Sequence, residues 1–160
     1  PEKRPFRVGS FTVIPFYLPH TTRDKDTGQL IPCFNYGYIV EHKEMGKLLY
    51  MTDFEFCRYN FKAMRLNHLV IECNYCKELV DKTAENYTHR LKGHCSLDTC
   101  KSLVNMNHTA ALRTVTLVHL SNEAADPEQI LSEIQETSGA DTIFQIATPG
   151  LEINLDLCPF

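Results

Sequence analysis

Four polar side chains stand directly after apolar stretches, and all four are of types that bind transition metals. His20 follows Phe16-Tyr17-Leu18-Pro19, and Asp53 follows Leu48-Leu49-Tyr50-Met51-Thr52. Glu72 follows Leu69-Val70-Ile71, and His119 follows Val115-Thr116-Leu117-Val118. Imidazole nitrogen and carboxylate oxygen are ligands for zinc, manganese or iron, and a carboxylate has two oxygens with which to bridge two ions. A pair of ions about 3.5–4 Å apart can clamp a phosphate and sharpen a water into hydroxide. Each residue also has a plainer reading, as a hydrogen-bonded histidine at a strand end or a carboxylate capping a turn. Convergence in space separates the two readings, and the ends of strands joined by α/β crossovers are where polar residues converge.

The elements that must position these residues follow from the apolar pattern. Residues Phe11 to Phe16 are β-branched and aromatic, which predicts a strand running into a loop at Pro19-His20, with a polar loop from Thr21 to Gln29. Tyr36 to Glu41 and Lys47 to Thr52 read as a hairpin around Met45-Gly46 whose second strand ends at Asp53. Leu69-Val70-Ile71 and Val115 to Val118 lack polar alternation and read as buried strands. Lys77 to Asn86 suits a helix, and Ser96 caps a second from Leu97 to about Met106. Asp126-Pro127-Glu128 opens a third, running to Ser138-Gly139. Two strands, Ile143 to Ala147 and Leu151 to Leu155, close the chain. A meander followed by strands alternating with helices predicts an α+β fold, a mixed sheet with helices on one face.

The bulk composition narrows the function classes. The 160 residues are one domain's worth, with 43% hydrophobic and 22% charged residues. A net charge of −4 argues against a basic nucleic-acid binder that holds its ligand by charge alone, though not against an enzyme that reaches phosphate through metal ions. No apolar run is long enough to span a bilayer, and the short polar lead-in, Pro1 to Pro5, reads as a connection to something upstream. Seven scattered cysteines fit reduced thiols in a cytoplasmic protein better than a disulfide framework. Cys73 and Cys76 with His94, Cys95 and Cys100 have some zinc-knuckle character, but no second CxxC follows and Cys100 falls on an apolar helix face, which favours core cysteines. His42, His68, His89 and His108 sit in polar surroundings and read as solvated. Tyr17, Phe54, Phe56, Tyr59 and Phe61, interleaved with Arg58, Lys62 and Arg65, could stack on bases, but core packing is the preferred reading.

Six motifs occur in order: PFYLPH (15–20), LLYMTDFEF (48–56), HLVIECNY (68–75), LKGHCS (91–96), TLVHLSNEAADP (116–127) and IATPGLEINL (146–155). Together they resemble metallo-β-lactamase-fold hydrolases, nearest to a bacterial and phage branch of exonuclease-like proteins, with tRNA 3′-processing ribonucleases as more distant relatives. The resemblance implies an αββα sandwich and a site of two divalent ions, zinc or manganese, with iron an alternative. His20 would be a ligand of one ion, Asp53 the bridging carboxylate, and His119 a ligand of the second. His94 would protonate the leaving oxygen, and Glu72 would orient its ring; a carboxylate–imidazole pair fixes the tautomer and raises basicity.

Two departures stand out. Thr21 follows His20 where the nearest relatives place Asp, and the family's His-x-His-x-Asp-His motif is absent: no two of the seven histidines lie two residues apart. Residues 1–160 are therefore expected to be the C-terminal half of the fold, with about two protein ligands per ion where stable sites hold three or four. The expected partner is the missing N-terminal half or a second copy, docked through an apolar sheet face, with nucleic acid as the substrate of the complete enzyme. A non-catalytic binding or inhibitory module is the alternative, and another ester or amide, such as a thioester or lactam, stays open as substrate.

Overall fold

A computed structural model describes residues 2–137 and 141–158. The opening residues form one long antiparallel arm. After the short β1 (Phe6–Val8), β2 (Phe11–Arg23) pairs along its whole length with β3 (Leu30–His42). Both strands are longer than the sequence predicts. Thr21 to Arg23 continue the strand because Leu30, Ile31 and Pro32 lie opposite them, and only residues 24–29 turn. There Asp24 accepts hydrogen bonds from the backbone of Asp26 and Thr27, closing the loop locally.

The chain then builds the sheet in simple succession. β4 (Gly46–Met51), β5 (His68–Glu72), β6 (Thr114–Val118) and β7 (Ile143–Ile146) follow in order, β1 to β4 antiparallel and β4 to β7 parallel. The result is the expected mixed α+β sheet, seven strands among the described residues. The expected strand at Leu151 to Leu155 is absent. Gly150, at φ 88°, follows Pro149, and the tail instead runs under the strand starts, where Leu157 N–H donates to Glu44 O and Arg113 donates to Leu157 O.

The helices differ most from expectation at the first. Lys77 to Asn86 yields only a 3₁₀ turn at Lys77–Leu79. Asp81 then accepts from both the backbone N–H and the hydroxyl of Thr83, a local turn that competes with helix formation. The helix begins later, as α1 (Tyr87–Gly93). α2 (Leu97–Asn107) starts on Ser96, whose hydroxyl accepts from Thr99 N–H, and α3 (Pro127–Gln135) on Asp126, which accepts from Glu128 and Gln129. Both caps are as read from the sequence; Ser138 and Gly139, the expected end of α3, lie outside the described residues.

One face of the sheet carries the core. Phe16, Leu18, Ile39, Leu49, Met51, Leu69, Ile71, Val115 and Leu117 are buried in one cluster with Cys100, Leu103 and Val104 of α2 and Ile130 and Ile134 of α3. Cys73, Cys76 and Cys95 belong to the same cluster and all seven cysteines are free, so the zinc-knuckle residues are core. Phe54 and Phe61 are buried there too, while Arg58 lies 5.9 Å from the ring centres of Tyr17 and Tyr59. The opposite face is different. By register, Phe6, Val8, Phe11, Phe34, Tyr50 and Ile143 all lie on it, and each is exposed.

Three histidines read as solvated are not. His42 packs on Phe11 with ring centres 4.6 Å apart, His89 is half-buried, and His68 is 1% exposed. His68 Nε2–H donates to Met45 O at 3.1 Å, and Nδ1 accepts from the Thr114 hydroxyl at 2.9 Å, a neutral ring with both nitrogens used. Burial lowers its pKa from the ordinary 6.5, against the raising effect of its carbonyl partners. The unfolded chain therefore takes up a proton below about 6.5 that the folded chain refuses. Stability from this residue is fully present above that pH and is lost as pH falls toward the lowered folded value. His68→Gln, which keeps a donor and an acceptor but cannot charge, should show this as a difference. Urea unfolding from pH 7.5 to about 5 is expected to narrow the wild-type advantage over the variant; a gap independent of pH would contradict it.

Candidate metal centre

Parallel pairing brings the polar strand ends together. Met51, Ile71 and Leu117 are aligned across β4, β5 and β6, so Asp53, Glu72 and His119 emerge side by side from neighbouring strands about 4.8 Å apart. Asp53 and His119 both adopt the left-handed backbone conformation, at φ 56° and 58°. Few non-glycine residues do so, although Asp and His are among those that tolerate it, and such conformations cluster at functional sites. Side chains hold both turns. Asn35 donates to the carbonyls of Thr52 and Asp53, and Asn74 donates to His119 O at 2.7 Å.

Glu72 is the hub. Its side chain is fully buried, yet it is met from three sides. His94 Nδ1–H donates to Oε1 at 2.7 Å, His119 Nδ1 lies 3.3 Å from the same oxygen, and Phe54 N–H donates to Oε2 at 3.2 Å. Burial raises the Glu72 pKa, but the hydrogen bonds and charges of His119 and His94 outweigh it and leave the carboxyl below its ordinary value. His119 shifts upward, chiefly through its hydrogen bond to Glu72, against its own desolvation. Both shifts favour an ionised carboxylate facing a cationic imidazole.

Asp53 Oδ1 lies 3.3 Å from His119 Nδ1 and 4.0 Å from His94 Nδ1. Asp53, His94 and His119 offer donor atoms all within 4.8 Å of one another, the one such group of three among the described residues. A carboxylate and two imidazoles are a fitting donor set for zinc, manganese or iron. His20 stands just outside that group. Its ring centre is 5.6 Å from that of His94, and its Nδ1 is 2.7 Å from Gly93 O. All five residues singled out in the sequence thus gather at one end of the sheet, with His94 next to both His20 and the Asp53–His119 pair.

Sequence reasoning missed His89. Its ring lies 5.3 Å from His94 and 5.9 Å from His20, and its Nε2 is 2.9 Å from Thr21 O. No spacing rule links residue 89 to residue 20, because the helix that joins them was expected ten residues earlier. Asn35 and Asn74 were missed likewise, since backbone capping across strands leaves no sequence signal.

Neither a protein-family model nor a curated relative matches the chain. Solved structures do. Unliganded yeast PDE1 is similar at a TM-score of 0.60 and 19% identity, over 92% of this chain and 47% of that one. An isothiocyanate hydrolase from Delia radicum gut bacteria is similar at 0.63 and 12%, over 98% and 59%. CmlA, a diiron β-hydroxylase from Streptomyces venezuelae, is similar at 0.54 and 9%, over 91% and 32%. These likenesses define the fold as metallo-β-lactamase-like. The chain spans about half the length of the first two of these proteins and about a third of the last.

Proposed function

We propose that this chain is the C-terminal half of a metallo-hydrolase, and that the complete fold is a nuclease-type phosphodiesterase holding two divalent ions, zinc or manganese. The observation that carries the reading is the buried Glu72 carboxylate joined to His94 and His119, with Asp53 against His119. A purely structural cluster has little reason to keep Asp53 and His119 partly exposed in left-handed turns. Bound there, divalent ions would neutralise phosphate charge and make hydroxide available at neutral pH.

The chain's own residues then divide the remaining work. Asp53 and His119 would hold metal, with His20 a further ligand. His94 donates its Nδ1 proton to Glu72, so a second proton taken up by the ring sits at Nε2, where it can pass to a departing alkoxide. Glu72, anchored by Phe54 N–H, fixes that tautomer and cannot swing away.

The apolar sheet face supports the half-domain assignment. Phe6, Val8, Phe11, Phe34, Tyr50 and Ile143 are exposed apolar side chains on that face, and we assign the face to contact with the N-terminal half of the fold. No helix among the described residues is long and apolar enough to cross a membrane. The free cysteines support a reducing compartment, which we take to be the cytoplasm.

The test is a substrate panel on the chain reconstituted with its completing half and Mn²⁺ or Zn²⁺: single- and double-stranded DNA, RNA, bis(p-nitrophenyl) phosphate and a β-lactam. Metal-dependent release from the phosphodiesters and none from the lactam is expected. The reverse pattern would discard the nuclease reading.

A further inference from the structure

We infer that His89 is a positioning residue that sets the tautomer of His20 by clamping the end of β2 against α1. Two hydrogen bonds make the clamp, and they are reciprocal. His89 reaches from α1 to the carbonyl of Thr21, and His20 reaches from β2 to the carbonyl of Gly93, four residues further along the helix. Carbonyl oxygens only accept, so both ring nitrogens in these bonds carry protons. His89 is therefore the Nε2–H form. His20 is the Nδ1–H form, with its Nε2 lone pair free to meet an ion.

Thr21 O has no alternative partner in the sheet. The residue opposite Thr21 is Pro32, which has no N–H, and on the other side β1 reaches only as far along β2 as Val13. Without His89 the end of β2 would lose its one polar tie to α1 at this carbonyl, and a carbonyl left unsatisfied away from water is costly.

Packing makes the clamp tight. His20, His89 and His94 are mutually edge-on, with ring centres 5.3–5.9 Å apart. At Gly93 an added Cβ would lie 3.2 Å from His20 Cε1 and 3.4 Å from Thr21 Oγ1, so glycine is what lets the ring come so close. Movement of Thr21 therefore moves His20.

For its catalytic consequence the inference rests on His20 being a metal ligand, but the tautomer can be read without metal. The experiment is long-range ¹H–¹⁵N correlation of the imidazoles at pH 8 in chelator, on wild type, His89→Gln and His89→Leu. Wild type is expected to show His20 as Nδ1–H and His89 as Nε2–H. His89→Gln, whose amide N–H can still reach Thr21 O, is expected to keep the His20 pattern, and His89→Leu to lose it. Affinity for Mn²⁺ should then fall about tenfold in His89→Leu and little in His89→Gln. An unchanged His20 pattern in His89→Leu would overturn the inference, as would its loss in both variants. If His89→Leu does not fold, wild type still decides, because an Nε2–H pattern for His20 is incompatible with the clamp. Failure of phosphodiester cleavage would leave the tautomer result standing, and the converse also holds.

Discussion

Replacing Glu72 is expected to cause the largest combined loss of stability and function. Glu72→Ala removes the acceptor for Phe54 N–H and the partner of two imidazoles, and leaves a cavity in the fully buried position at the end of β5. Breaking a buried charged network in this way costs about 3–5 kcal/mol, enough to be a large part of a domain's total stability of about 5–15 kcal/mol. Glu72→Gln is the more informative variant, because it keeps the volume and an acceptor for Phe54. It should fold, and it should lose about 10- to 100-fold in metal affinity or activity, the range for outer partners of metal sites.

The pH dependence of that variant has a definite sign. The Glu72 pKa is held below its ordinary 4.5, so its contribution is present above about 4.5 and is lost as pH falls through the folded value. The His119 pKa is held above its ordinary 6.5, so its contribution is complete below about 6.5 and is lost as pH rises through the folded value. In chelator, the wild-type advantage over Glu72→Gln should be greatest between about pH 4.5 and 6.5 and should narrow on either side. His68 contributes equally to both proteins and cancels in the difference. Urea unfolding at a series of pH values reads it directly, and a gap that widens steadily above pH 7 would contradict the pairing.

The second large effect is expected at Asp53. Its φ of 56° dictates the choice of substitution, since Asn tolerates the left-handed conformation and Ala does not. Asp53→Asn keeps the shape of the turn and removes the charge and one oxygen. Affinity for Mn²⁺, measured by calorimetry, should fall by more than about 100-fold, since outer partners alone are worth 10–100-fold. Thermal unfolding of the metal-free chain should change little. Unaltered metal affinity would mean that Asp53 is a turn residue and not a ligand.

What the sequence makes legible here is the part governed by apolar pattern. β5 and β6 are short, mostly apolar runs, and Glu72 and His119 stand at or just beyond their ends because carboxylate and imidazole are not tolerated further in without partners. Parallel neighbours then bring those ends together. Ser96 and Asp126 announce their helices by capping chemistry alone. The α1 region was illegible for a physical reason. Asp81 and Thr83 satisfy the backbone locally, and seven residues from Tyr87 to Gly93 carry too short a pattern to stand out. His89 was lost with it. The left-handed turns at Asp53 and His119 leave no trace in composition, and the burial of His68 depends on Met45 and Thr114, which are far from it in sequence.

The resemblance implied that His20, Asp53 and His119 meet; Asp53 lies 3.3 Å from His119, and the ring centres of His20 and His119 lie 5.6 and 5.2 Å from that of His94. His20 is tied to Gly93 O through Nδ1, which leaves Nε2 as the nitrogen that could join an ion. His94 is the third member of the donor group that Asp53 and His119 form.

Paramagnetic broadening by substoichiometric Mn²⁺ tests most directly whether these side chains form one centre. In wild type the imidazole resonances of His119, His94 and His20 are expected to broaden first, while His42 and His108 stay sharp, and Asp53→Asn should abolish the difference. Broadening that is absent, or spread evenly over all seven histidines, would contradict a metal centre at the ends of β4, β5 and β6.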